Sequence, residues 1–310
     1  MKQGGKLLLV LSIALFSASV GVAQPAPGVG TVRSITISSE PNTKVFIGGI
    51  LYGKTSKDGI LEIKTVAAGP HILTLRSDGY KEKSQPLPAT ARGEIKVPLV
   101  KTTDESELAF QEAERLLSRD REKAIAAYQK AIKLRPNYPE AFVALARAQA
   151  DDLDVEGALK SIKAARRLRT GYAEASAVEG RIHKDNAEEE QTIAAFKRAI
   201  AEGKGFQPEA YTGLGLLYKE KAETFGGASD FANESANYVE AAKNLKIALK
   251  QLSGAPDAVV IYQLLGLVYE RQKKYDEAIA LYEEFLKFFP DIPESEAVRS
   301  FIIQLKKEKP

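Results

Sequence analysis

The chain has 310 residues, 44% of them apolar and 27% charged, with a net charge of +3 and no cysteine. That composition belongs to a folded chain of two or three domains. It excludes disulfides, thiol catalysis and a cysteine-anchored lipid, and it lacks the basic block or aromatic-interleaved basic stripe of a nucleic-acid binder.

At the start of the chain, Lys2 and Lys6 precede the apolar run Leu7–Phe16, and Gly21 and Ala23 stand at −3 and −1 of a cut before Gln24. This order predicts a cleaved signal peptide over residues 1–23. The alternative is an uncleaved anchor, for which the run is short against a span of about 20 residues. With cleavage no stable transmembrane segment remains. The expected location is the periplasm or cell surface of a bacterium. Residues 24–30, QPAPGVG, read as a linker.

Residues 31–101 hold 11 Lys+Arg against 6 Asp+Glu, whereas residues 102–310 hold 31 against 35. The two parts also differ in pattern. In the first, the runs VRSITIS, KVFIG, HILTL and EIKVPLV are separated by turn signals at Pro41-Asn42, Gly48-Gly49, Asp58-Gly59, Gly69-Pro70 and Asp78-Gly79. Short strands at this spacing predict a small all-β sandwich. The order Ser39-x-Pro41, Val45-x-Ile47-x-Gly49, Gly53-x-Thr55, then AGPHILTLRSDGY (67–80) resembles the PEGA domain. The resemblance implies an extracytoplasmic β domain serving as a spacer or envelope-facing module. The turn Pro41-Asn42-Thr43-Lys44 departs from the family pattern by lacking its glycine.

From residue 102 the pattern is helical and repeats. NYPEAF at Asn137 returns as GYAEAS at Gly171 and as FQPEAY at Phe206. A period near 34 predicts a stack of helical hairpins. Leu265-Gly266, Tyr269, Ala278, Tyr282, Phe285 and Pro290 resemble the tetratricopeptide repeat, and partial copies put five repeats within residues 102–292. In the fourth, residues 222–235 are extra; they read as a loop or extended helix ends, with Gly226-Gly227 breaking the helix. Residues 293–310 read as a capping helix with Val298, Phe301, Ile302 and Leu305 on one face. The expected architecture is therefore multidomain: a small β sandwich plus an all-α superhelical solenoid.

Catalytic signals are poor. His71 and His183, the two histidines, fall at a strand end and at a packing position. Gly213–Gly215 lies inside a helix with no strand before it, so it is no phosphate loop. No cofactor, metal or enzymatic activity is expected. What remains is recognition of a protein or peptide. The repeat family binds ligands from the second, fifth, ninth and twelfth repeat positions. Carried over, these are Glu140, Val143, Arg147 and Ala150; Glu174, Ala177, Arg181 and Lys184; Glu209, Thr212, Leu216 and Lys219; and Val260, Gln263, Leu267 and Glu270. Arg147, Arg181, Lys184 and Lys219 would form a basic ladder, with Glu270 in the last repeat. Such a ladder suits an acidic or C-terminal peptide. The alternative is that these cations pair with Glu140, Glu174 and Glu209. The family's carboxylate-clamp asparagine is absent, its positions being Ala144, Val178, Gly213 and Leu264. The expected function is an exported, non-enzymatic adaptor. Its rival is an envelope carbohydrate or peptidoglycan binder acting through the β domain, with Phe46, Tyr52 and Tyr80 as its aromatic residues.

Overall fold

The computed structural model of the protein describes residues 33–308. The predicted signal peptide and linker lie outside them. Seven strands come first: β1 (Arg33–Ser38), β2 (Lys44–Ile47), β3 (Ile50–Lys54), β4 (Ile60–Val66), β5 (His71–Arg76), β6 (Lys83–Leu87) and β7 (Gly93–Lys96). They form two sheets, ordered β4-β1-β7 and β3-β2-β5-β6. All pairs are antiparallel except β1 with β7. Alternation turns Ile35, Ile37, Val45, Ile47, Leu73 and Leu75 inward, where they are buried. The turn without its glycine closes by other means. Asn42 takes the left-handed conformation at φ 58°, which asparagine tolerates. Thr55 Oγ1 accepts from Thr43 N at 2.9 Å and donates to Glu40 O at 2.6 Å. Gly59, at φ 77°, must be glycine because a Cβ there would stand 2.1 Å from Ser39 O.

The helices follow as pairs: α1 (Glu105–Leu116) with α2 (Arg121–Leu134), α3 (Pro139–Asp151) with α4 (Val155–Leu168), α5 (Ala173–Asp185) with α6 (Glu189–Glu202), α7 (Pro208–Gly227) with α8 (Phe231–Leu252), and α9 (Ala258–Arg271) with α10 (Tyr275–Phe288). The last helix is α11 (Glu294–Glu308). Asp104, Asp120, Asp154 and Asp230 cap α1, α2, α4 and α8 by accepting backbone N–H bonds. Within pairs and between neighbouring pairs small residues admit large ones. Phe196 of α6 lies against Gly180 and Gly213, and Tyr282 of α10 lies against Gly266.

Of the two readings of residues 222–235, the extended helix ends hold and the loop does not: α7 runs on to Gly227, ends there, and the chain turns at Ala228–Asp230. The insertion lengthens both helices, which pack on each other with Ala222 and Tyr238 buried. In α11, Val298, Ile302 and Leu305 are buried, but Phe301 is 46% exposed, its ring edging Tyr282 at 6.1 Å.

The β sandwich does not hang free of the solenoid. At one end it meets α1. Arg76 ion-pairs with Glu114 and Glu82 and lies 4.8 Å from the centre of the Phe110 ring. Gln111 accepts from Gly79 N and donates to Tyr80 O, each at 2.8 Å. At the other end it meets two links between helix pairs. The His71 ring stands 5.1 Å from Phe206, between α6 and α7. Tyr52 OH donates to Leu252 O at 3.2 Å, and Thr65 Oγ1 to Ser253 O at 2.5 Å, at the start of the α8–α9 link. Both links lead into the N-terminus of the first helix of a pair. The sandwich therefore lies across that edge of the solenoid and ties its first repeat to its fourth and fifth.

Candidate functional site

The first helices of the pairs line the concave wall, and contacts among their side chains show how that wall is built. Arg147 of α3 reaches past α5 to Glu209 of α7. Its two terminal nitrogens donate to the two carboxylate oxygens at 2.7 and 2.6 Å. Glu174 of α5 adds a contact at 3.6 Å. A two-pronged guanidinium–carboxylate pair is the strongest kind of side-chain hydrogen bonding. Burial alone would raise the Glu209 carboxyl and lower the Arg147 guanidinium. Their mutual attraction outweighs it, and Glu209 stays below the usual carboxylate range.

The other members of the expected ladder are also engaged. Arg181 pairs with Asp151 at 3.3 Å, Lys184 with Glu220 at 2.8 Å and Lys219 with Glu223 at 2.8 Å. Glu270 accepts from Tyr282 OH at 2.8 Å. Glu140 pairs with Arg169, whose guanidinium lies 4.4 Å from the centre of the Tyr172 ring. One repeat earlier, Arg135 pairs with Asp104 and stacks on Tyr138 in the same way. Sequence reasoning passed over this second ladder, although Arg-x-x-Tyr recurs at 135 and 169, 34 residues apart. The wall's charges are thus largely matched within the chain.

The uncharged positions divide: Val143 and Ala177 are buried in the core, whereas those of the fourth and fifth pairs are not. Thr212 and Leu216 of α7 and Leu267 of α9 are partly exposed, Gln263 is exposed and Val260 is 56% exposed. Helix α5 packs against both α3 and α7, whereas α9 packs on α8 and α10 and has no comparable contact with α7 among the described residues. This stretch of the wall is open and apolar.

Both histidines have structural work. His71 bonds Ala67 O at 3.0 Å, and burial lowers its pKa. His183 Nδ1 lies 2.5 Å from Glu188. No group of three or more His, Cys, Asp or Glu among the described residues is placed to hold a metal ion. The β-domain aromatic residues are likewise occupied: Tyr52 is buried and bonded to Leu252 O, and Phe46 lies under Arg76. Among the described residues no helix is long and apolar enough to cross a membrane.

Comparison with known proteins finds repeats in the helical region. A family model described as TPR repeat matches residues 120–152, and one described as Tetratricopeptide repeat matches residues 259–292. No curated protein matches the chain. Among solved structures, yeast Tom70 aligns with a TM-score of 0.53 at 17% identity, over 67% of this chain and 41% of its own. A thermophilic TPR protein of Thermus thermophilus aligns at 0.47 and 20%, over 64% and 98%. MamA aligns at 0.41 and 24%, over 60% and 93%. Repeat spacing, helix pairing and the two family matches converge: behind its N-terminal β region, this chain carries a tetratricopeptide-repeat solenoid.

Proposed function

We propose that the protein is an exported, non-enzymatic adaptor that holds a protein partner on the concave wall of its repeats. The observation that carries this reading is the open apolar stretch on α7 and α9. Thr212, Leu216, Val260, Gln263 and Leu267 occupy ligand-facing repeat positions while the helix-pair core closes without them. Repeat solenoids bury one face of each helix pair and leave a continuous wall for binding. Export rests on Lys2, Lys6, the run Leu7–Phe16 and the small residues before Gln24. The PEGA-like β domain acts as a brace, since it grips the solenoid at α1, Phe206 and Leu252–Ser253.

Site-specific photocrosslinking in producing cells tests the adaptor reading. A photoreactive residue at Gln263 should yield a discrete crosslinked band. The same residue at the exposed Lys160, on α4, should not. Equal labelling from both positions, or none from Gln263, removes the concave wall as the working surface. Export is tested by the intact mass of the protein released by osmotic shock, which should begin at Gln24.

A further inference from the structure

The chemistry of the partner can be taken further, resting on the adaptor reading, because the wall's charges are not balanced everywhere. In the second to fourth repeats the wall cations Arg147, Arg181, Lys184 and Lys219 each meet a carboxylate of the same chain. On α9 the open face runs Asp257, Val260, Gln263, Leu264, Leu267 and Glu270. Glu270 is held by Tyr282 OH, and Arg271 next to it is exposed. Asp257 is another matter. It stands at the N-cap position of α9, yet its side chain accepts no backbone bond there. Among the described residues it has no cationic partner. The charged group that acts on it is Glu209, of the same sign, whose own charge is already matched by Arg147. Burial, and then Glu209, raise the Asp257 carboxyl above its usual range. An acidic group in this setting gains from an arriving cation. Directly below it lies the exposed apolar stripe.

We propose that the occupant is an extended peptide segment that lays apolar side chains on Leu216, Val260 and Leu267 and sets a lysine or arginine beside Asp257. This reverses the charge that the cations of the sequence suggest. The spacing follows from geometry. Asp257 and Leu267 are ten residues apart on one helix, about 15 Å at about 1.5 Å per residue. An extended chain covers that in about five residues. The basic residue should therefore lie about three to five positions from the farther apolar one.

The test is selection of a random dodecapeptide library, displayed on phage, against the immobilised protein, followed by anisotropy titration of the recovered peptides. Recovered sequences should share a lysine or arginine at that distance from an apolar pair. Their affinity should fall about tenfold with Leu267→Asp and about fivefold with Asp257→Asn. Asp257 is exposed and makes no capping bond, and Leu267 is partly exposed, so circular dichroism should be unchanged. Acidic consensus peptides whose binding is lost in Arg181→Ala would overturn this assignment and leave the adaptor reading standing. Basic peptides indifferent to Asp257→Asn would overturn the assignment alone. Recovery of no peptide, or of peptides indifferent to Leu267→Asp, would bring down both.

Discussion

The bridge from Arg147 to Glu209 decides whether the middle of the concave wall is a free basic surface or a closed one, and it can be weighed directly. Changing Arg147 to alanine removes two hydrogen bonds between charged groups, made at 2.7 and 2.6 Å. Hydrogen bonds to charged groups contribute about 1.5–3 kcal/mol. Each side chain is 31% exposed, so solvent screening brings the expected coupling down to about 1–2 kcal/mol. Single substitutions also carry costs unrelated to the bridge. Glu209 sits in the first turn of α7, where its charge favours the helix by about 0.3–1 kcal/mol, and Arg147 keeps a second contact with Glu174. A double-mutant cycle of Arg147→Ala and Glu209→Ala cancels both. Urea denaturation followed by far-ultraviolet circular dichroism should show each single variant destabilised by about 1.5–3 kcal/mol. The double variant should fall short of their sum by the coupling. At about 1 M salt, where the screening length is about 3 Å, the coupling should shrink. A cycle that closes within about 0.3–0.5 kcal/mol, the scatter of independent sites, would refute the bridge and return Arg147 to the partner.

Two further predictions rest on packing and on pH. A Cβ on Gly266 would stand 2.1 Å from Tyr282 OH and 2.4 Å from its ring carbon. Gly266→Ala should therefore destabilise by about 1–3 kcal/mol through overpacking, against a helix-propensity gain of about 1 kcal/mol. In a Tyr282→Leu background the same change should become neutral or favourable, and neutrality in the wild-type background would remove the close approach. Burial pushes the Tyr52 hydroxyl up to about 12 from an ordinary value of 10.0. A group raised in the folded state contributes stability that is complete below its unfolded pKa and lost as pH rises through the folded one, so this contribution disappears between about pH 10 and 12. Thermal melts across that window should show Tyr52→Phe with a shallower alkaline decline than wild type. Identical declines would mean that the hydroxyl is not held in a buried site.

The repeat architecture was legible because it is imposed by local packing. Every helix pair needs small residues where helices meet, and the same requirement returns each time the chain comes round. Gly180, Gly215 and Gly266 each face a large side chain of the second helix of their pair, Phe196, Leu245 and Tyr282; the first two stand 35 residues apart, and the third follows only after the lengthened fourth pair. Three strands escaped because their patterns are diluted. β3 is interrupted by Gly53, β4 carries Glu62 and Lys64 between its apolar residues, and β6 contains Pro86. Pro86 is tolerated because β6 is an edge strand, with no neighbour on its far side to need the missing donor. The glycine pair at 226–227 forms the last two residues of α7. Glycine lowers helix stability by about 1 kcal/mol, but here α8 packs along α7 and offsets it, with Glu234 beside Gly226.

Charge pairing on the wall was beyond the sequence for a different reason. A period says which residues face inward; it does not say how tightly the superhelix curves. Arg147 meets Glu209 across 62 residues only because α3, α5 and α7 close on one another, and the β sandwich gripping α1, Phe206 and Leu252–Ser253 ties the ends of that curve together. The same curvature leaves α9 apart from α7. A ladder of like charges on paper thus becomes a set of internal bridges in the fold. The surface left for a partner is the stretch where curvature relaxes and no opposite charge arrives, around Val260, Leu267 and Asp257.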